Sequence, residues 1–439
     1  MATRFAARAD RDQALKPATA ILASPESATV ANIRPLTILL VVPSLQAGAA
    51  DIGVVDLVRI LAAAGHRPIV LSRGGRMEGD IPAVGGEFIF AEVASKNPLI
   101  MLRNAAVIAR IARERRCDVI HAHGRAPAWS AFLAARVTGV PFFTSWYKGF
   151  REQNKFKRLY NSVMVRGDRI IAASDQIAEL ISERYGIAWS RISVVPSTID
   201  LEHFDPASVS AERINDMRRA WGVGSHTKVI LVVGRMLRRK GHHLVVRAAR
   251  RLKAMGLKDF VCVFIGEDQG RSRYTGELWD LVQASDVTDV IRMAGAPGDV
   301  PAAYAAAMVV VSAATQAEGL QRAILEAQAM ARPVVVSDLG AGPEVVLAPP
   351  AVAEDRMTGL RFSAGDDAAL AAALIRLFSL TDAARTAIGL RGRDWVMGHF
   401  NAPAATELTL RLYADVARSR PKPRSALRSA AAKPHSPAA

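Results

Sequence analysis

At 439 residues, half of them hydrophobic, the chain has material for two cores, and a formal charge of +16 draws it toward polyanions or phosphorylated ligands. Its only two cysteines, Cys117 and Cys262, lie far apart in apolar runs, which argues against a disulfide framework or a zinc-ribbon site and makes a reducing cytosol the expected compartment. No run is long and apolar enough to cross a bilayer, no signal-peptide core is visible, and no helix-turn-helix, zinc-finger or aromatic RNA-binding signature occurs, so nucleic acid is not an expected partner.

Residues 1–34 have no period and are expected to be disordered. Short β-branched runs then alternate with helical patterns, the grammar of parallel βαβ units. Strands are predicted at Thr37 to Val42, Pro68 to Ser72, Glu87 to Phe90, Val119 to Ala122, Pro141 to Ser145 and Arg169 to Ala173, with Val194 and Val195 closing the series. Helices are predicted at Val54 to Ala64, Met101 to Arg113 and Trp129 to Thr138. A polar stretch follows from Asp200 to Trp221, and then the same grammar restarts. Strands are predicted at Val229 to Val233, Phe260 to Ile265, Val290 to Met293, Val309 to Ser312 and Val334 to Ser337, with a helix from His243 to Met255.

The expected architecture is α/β: two doubly wound, Rossmann-like domains facing a cleft, with ligands beyond the carboxyl ends of the strands. The first, acceptor-side domain spans 35–205, a linker 206–222, and the second, nucleotide-sugar-binding domain 223–400. A helix over 401–417 packs back on the first domain, and 418–439 form a disordered basic tail.

Two motifs carry chemistry. Gly234, Arg235 and the run to Lys240 and Gly241 follow directly on an apolar strand, so two fixed cations emerge where a diphosphate could be neutralised; a solvated basic loop would look the same. Glu318 and Glu326 stand eight apart, the second inside a helix and the first just before it. Amides at such a helix start can meet a phosphate, and a carboxylate two turns on can accept from paired ribose hydroxyls.

Together with Leu45 to Gly48, Gly65 and His66, Asp118 to His123, Ser197 to Asp200, Gly266 and the run from Ala327 to Gly340, these motifs make the chain resemble the retaining glycosyltransferases of family 4, which have the GT-B fold, over roughly residues 36 to 400. The resemblance implies a hexosyl-type transfer from a nucleotide-diphosphate sugar to a glycan or lipid-linked acceptor, in cell-envelope or lipopolysaccharide-type synthesis. It implies that Arg235 and Lys240 hold the donor phosphates, that Glu318 contacts the transferred sugar and that Glu326 binds the ribose. Gly48, Gly266, Leu320 and Gln321 would complete the donor site, His123 and Tyr147 would lie on the acceptor side, and neither metal nor cofactor would be needed.

Against the family pattern, Tyr147 stands where a histidine is common, Ala49 follows Gly48 in place of a second glycine, Leu320 and Gln321 replace an aromatic residue and a glycine, and Ser197 and Thr198 replace an Asn-Gly-like turn. These changes leave open a regulatory protein that binds nucleotide sugar without turnover. His121 and His123 are as compatible with structural roles as with catalysis. Trp146 to Tyr160 interleaves basic and aromatic side chains, as an interfacial helix at an anionic membrane on the cytoplasmic face would, or as a solvated helix would.

Overall fold

The computed structural model describes residues 34–46, 48–149, 154–268, 270 and 272–419. The predicted disordered tails lie almost wholly outside them, as do residues 150–153 of the basic aromatic segment.

Two open sheets form, and every recorded strand pairing in both is parallel. The first contains β1 (Thr37–Val41), β2 (Arg67–Ser72), β3 (Glu87–Phe90), β4 (Val119–His123), β5 (Phe142–Trp146), β6 (Arg169–Ala172) and β7 (Ile192–Val194), in the order β3-β2-β1-β4-β5-β6-β7. The second contains β8 (Lys228–Val233), β9 (Phe260–Ile265), β10 (Ile291–Gly295), β11 (Val309–Ser312), β12 (Val334–Ser337) and β13 (Leu360–Phe362), in the order β10-β9-β8-β11-β12-β13. Central strands such as TILLV in β1 and FVCVFI in β9 are buried along their whole length, as strands covered on both faces must be. In each sheet the strand order reverses between the first and fourth strands, β1/β4 and β8/β11, and at such points the outgoing loops diverge and leave a crevice.

Local signals set the helix ends. The helix Pro98–Glu114 starts on Asn97, whose side chain accepts from Leu99 N, with proline at its first position, and Arg125–Thr138 ends on left-handed Gly139. The helix predicted from Val54 begins at Ala49 instead, because Gly48 caps it and Asp51 accepts from the Gly48 amide. Residues 206–222, expected as a linker, contain the helix Ala211–Ala220, capped by Ser210. Arg213 of that helix ties to Asp299 at 2.7 Å, while Phe204, Val209, Trp221 and Val223 enter the core beside β8. The segment therefore packs as part of the second domain. The last helix, Ala402–Ser419, lies against the first domain: Tyr413 is fully buried among β1 residues and Phe143.

The chain crosses between the domains twice, and the crossings meet where Ile199 N donates to Phe400 O at 3.2 Å. Away from this hinge, Glu344 of the second domain accepts from the amides of Asp175 (3.2 Å) and Gln176 (2.6 Å) at the start of the helix Asp175–Tyr185. Burial pushes the Glu344 carboxyl up to about 7, with the Asp175 carboxylate adding and the two amides opposing. Because the folded value is raised, the neutral carboxyl is favoured in the folded protein. The stability it contributes is complete below about pH 4.5 and is lost as pH rises through about 7. Glu344→Gln is therefore expected to gain stability relative to wild type across that window, as urea denaturation between pH 4.5 and 8 would show; a difference independent of pH would contradict the assignment.

Candidate functional site

The end of β8 delivers Arg235, followed by the tight helical turn Arg238–Lys240. This turn lies directly on the end of β11: a Cβ at Gly241, where φ is +75°, would fall 1.6 Å from Ala313 O, so only glycine fits there. The turn aims Lys240 Nζ at Glu318 Oε2, 2.6 Å away across 78 residues of sequence, while Arg239 pairs with Oε1 of the same carboxylate. The Glu318 side chain is only 11% exposed. Burial, with Arg239 and Arg235 close by, brings the Lys240 ammonium down to about 8, so it is still largely charged at neutral pH.

Glu326 lies within the helix Arg322–Ala329 that starts on Gln321. Tyr304 OH donates to its Oε2 (2.8 Å) and Arg322 Nε to its Oε1 (2.9 Å); burial raises the carboxyl above its ordinary range against the pull of Arg322. The two carboxylates therefore differ in setting: Glu318 faces Lys240 and Arg239, and Glu326 is held between one arginine and a phenol. Leu320 is half-buried and packs against the second domain's core. Gln321 is buried, and neither Oε1 nor Nε2 has a hydrogen-bond partner among the described residues.

Beside this cluster a recess of about 880 Å³, counting its open mouth, is lined by Met236, Gly266, Glu267, Asp268, Thr275 and Met293. It joins the ends of β8, β9 and β10, and Arg76 of the first domain bridges to Glu267 at 3.1 Å.

On the opposite wall, Gly48 follows β1 with φ −83°, a backbone that any residue adopts. Glycine is expected there because a backbone without a Cβ lets a diphosphate come close; among the described residues a Cβ would meet only the Asp51 side chain, with Oδ2 at 3.2 Å. His123 ends β4, and its Nδ1 lies 3.0 Å from Tyr147 OH. Burial holds the His123 imidazole neutral, its value lowered to about 3, and its Nε2 is buried without a partner among the described residues. Burial likewise raises the Tyr147 phenol well above its ordinary value. His121 is structural: Nδ1 meets Tyr413 OH at 2.6 Å and Nε2 meets Ser145 Oγ at 2.8 Å. Asp118 and His66, at the other end of the sheet, take the amides of Thr37 and Leu36.

The two walls touch. A Cβ on Gly319 would lie 2.1 Å from Tyr147 O, so the loop carrying Glu318 sits directly on the backbone that carries Tyr147. Burial, with Arg239, Arg235 and Arg125 adding to it, lowers the ammonium of Lys148, next in sequence. Arg322 also reaches across to Asp56, at 3.7 Å. The structure thus links Lys240 to Glu318, the Glu318 loop to the backbone of Tyr147, and Tyr147 OH to His123, while Glu326 is held apart by Tyr304 and Arg322. Sequence reasoning missed Arg239, Tyr304, Arg322 and Lys148. Arg322 was visible as the helical i, i+4 partner of Glu326, and Arg239 as part of the basic run; Tyr304 left no such trace.

Among the described residues no group of three His, Cys, Asp or Glu side chains is placed to hold a metal ion, and no helix is long and apolar enough to cross a membrane.

Two facing doubly wound sheets with this cluster between them define a glycosyltransferase of the GT-B architecture. Residues 50–203 match the model described as Glycosyltransferase Family 4, and residues 227–379 match that of Glycosyl transferases group 1. The D-inositol 3-phosphate glycosyltransferase of Kineococcus radiotolerans is 30% identical over 334 residues, 71% of this chain and 75% of that protein. The chain belongs to the family 4 glycosyltransferases. Another relative of the same description, from Nocardiopsis dassonvillei, is matched over only 55% of its length. Among solved structures, a glycosyltransferase from Rickettsia africae superposes with a TM-score of 0.80 at 28% identity, covering 88% of this chain and all of that one. Anabaena HepE, solved with UDP-glucose, shares the fold at 18% identity and a TM-score of 0.75, over 87% of this chain and all of its own.

Proposed function

We propose that the chain transfers a hexosyl group, with retention, from a nucleotide-diphosphate sugar to an acceptor hydroxyl. The observation that carries this reading is the meeting of Lys240, Arg239 and Glu318 against the backbone of Tyr147: a cationic seat and a carboxylate from one domain, apposed to the other. Arg235 and Lys240 take the diphosphate, helped by amides at the start of the helix Arg322–Ala329. Glu326, oriented by Tyr304 and Arg322, takes the ribose hydroxyls, and the recess by Gly266 and Met293 takes the base. The UDP-glucose held by HepE on the same fold supports this kind of donor.

In the transfer itself the bond from the anomeric carbon to the diphosphate oxygen breaks, and its electron pair leaves on the diphosphate, where the cations stabilise it. The acceptor oxygen bonds to the same face of the anomeric carbon while its proton passes to a diphosphate oxygen. Glu318 stabilises positive charge on the sugar, and the cations take the part that a divalent metal plays elsewhere. The charge of +16 supports a place for this chemistry at an anionic membrane surface on the cytoplasmic side, where cell-envelope glycans of lipopolysaccharide type are built.

Tyr147 tests the proton's route. A phenol raised by burial cannot serve as base near neutral pH, and the neutral His123 paired to it is poorly suited to hold a proton. Tyr147→Phe is therefore expected to keep turnover within about tenfold of wild type, the cost of one hydrogen bond. Product release from a panel of nucleotide sugars measures it. Loss of all turnover with donor binding intact would assign the proton to the Tyr147–His123 pair, and no turnover in the wild type would favour a regulatory binder.

A further inference from the structure

We propose that Asp56 of the first domain and Arg322 of the second act as a relay that ties the seating of the donor's ribose to closure of the cleft, which makes both of them positioning residues for the transfer. The inference rests on the donor-site reading above, in which Glu326 takes the ribose hydroxyls.

Arg322 is the first residue of the helix Arg322–Ala329, and its guanidinium faces two carboxylates. Nε donates to Glu326 Oε1 at 2.9 Å, one turn along the same helix, while Nη1 lies 3.7 Å from Asp56 Oδ2 across the cleft. Only 20% of the Arg322 side chain and 25% of the Asp56 side chain are exposed, so salt screens this pair less than it would a surface pair. A planar fork of five N–H groups can address both carboxylates at once, which the compact ammonium of a lysine cannot do with the same geometry. The two grips are unequal. The one on Glu326 is a closed hydrogen bond, whereas the one on Asp56 is an ion pair about 0.8 Å or more beyond the roughly 2.7–2.9 Å of a charge-assisted hydrogen bond.

Ribose shifts this balance. Tyr304 OH on Oε2 and Arg322 on Oε1 leave each oxygen of Glu326 a further lone pair. Hydroxyls donating there compete with Nε for the same charge, and the guanidinium is drawn toward its second carboxylate, Asp56. The Asp56 end is anchored, because its Oδ1 takes Arg59 at 2.6 Å on the same helix, Ala49–Ala63. Three residues before Asp56, Gly53 packs on Tyr147, its Cβ position 3.3 Å from the ring, and the helix itself is capped by Gly48. Shortening the Arg322–Asp56 distance therefore brings the ribose carboxylate toward the helix that starts at Gly48 and backs Tyr147.

The test is a cycle that removes the ribose 2′-hydroxyl from the ligand and the charge from Asp56. Calorimetry on the full chain compares UDP, GDP and ADP with their 2′-deoxy forms in wild type, Asp56→Asn and Arg59→Ala. Wild type is expected to bind the best of the three nucleotides at least about tenfold tighter than its deoxy form, since a hydroxyl donating to a carboxylate is lost. In Asp56→Asn that factor should shrink at least about threefold, because the relay no longer adds to the penalty; a merely structural role for Asp56 would leave the factor unchanged. Arg59→Ala, which removes the partner of Asp56 within the helix but not the one across the cleft, should keep the wild-type factor. A factor as large in Asp56→Asn as in wild type overturns the proposal. The same shrinkage in Arg59→Ala overturns it too, by tracing the effect to the helix rather than to Arg322. Equal affinity of the wild type for the two forms removes the relay together with the ribose assignment of Glu326, whereas binding of none of the nucleotides brings down the whole donor-site reading.

Discussion

Glu318→Gln is expected to lower turnover about 10²- to 10³-fold, the usual cost of removing a group that stabilises charge only in the transition state. Donor binding should behave differently. In the structure the Glu318 carboxylate occupies Lys240 and Arg239, so a neutral amide of the same shape releases two cations toward an incoming diphosphate. Nucleoside-diphosphate affinity is therefore expected to stay level or tighten while the rate collapses. Calorimetry beside single-turnover kinetics separates the two quantities. Equal losses in both would make Glu318 a structural counter-ion and remove it from the chemistry.

Arg235→Ala and Lys240→Ala should act on the opposite quantity. A hydrogen bond to a charged group contributes about 1.5 to 3 kcal/mol, so each substitution is expected to weaken nucleoside-diphosphate binding roughly tenfold to more than a hundredfold. The pair should differ in one respect. Lys240→Ala strips Glu318 of the cation 2.6 Å from its Oε2 and leaves the carboxylate nearer the phosphates, adding repulsion to the lost contact. Lys240→Ala should therefore show the larger loss, and Lys240→Ala/Glu318→Gln should recover part of it. Titration with UDP, GDP and ADP would measure both, and unchanged affinity in either single variant would take that cation out of the donor site.

Most strands were legible because parallel sheets covered on both faces require uninterrupted apolar runs, and ILLV, VILVV and VCVFI are such runs. Where burial is partial the signal fades. β13 is three residues, LRF, with an arginine at its centre, and it went unseen. The helix Ala211–Ala220 gives a weak signal because none of its residues is fully buried and only Ile214 and Met217 in AERINDMRRA pack on the core; its one local sign is Ser210 as cap.

In the site, Arg235, Lys240, Glu318 and Glu326 stood out because each lies in a short motif tied to a strand end or a helix start. Arg239 was passed over inside the same run, since sequence does not say which of three adjacent basic side chains a turn will aim inward. Tyr304 lies 22 residues from the carboxylate that it orients, in a separate helix, and only the packing of that helix beside Arg322–Ala329 brings the two together. Asp118 and His121 illustrate the converse: they mark the family in sequence yet serve as braces within the first domain.

The return of the last helix has a consequence for biosynthesis. The first sheet is finished by residue 194, but Tyr413, which fills its core and engages His121, is made more than two hundred residues later. At ribosomal rates of about 5–20 residues per second, that interval is roughly 10–40 seconds. Throughout it the nascent amino-terminal domain stands with an apolar face uncovered and a buried imidazole lacking its phenol partner, while the second domain, whose strands end at residue 362, can assemble first. The earliest part of the chain to be synthesised is thus the last to be completed.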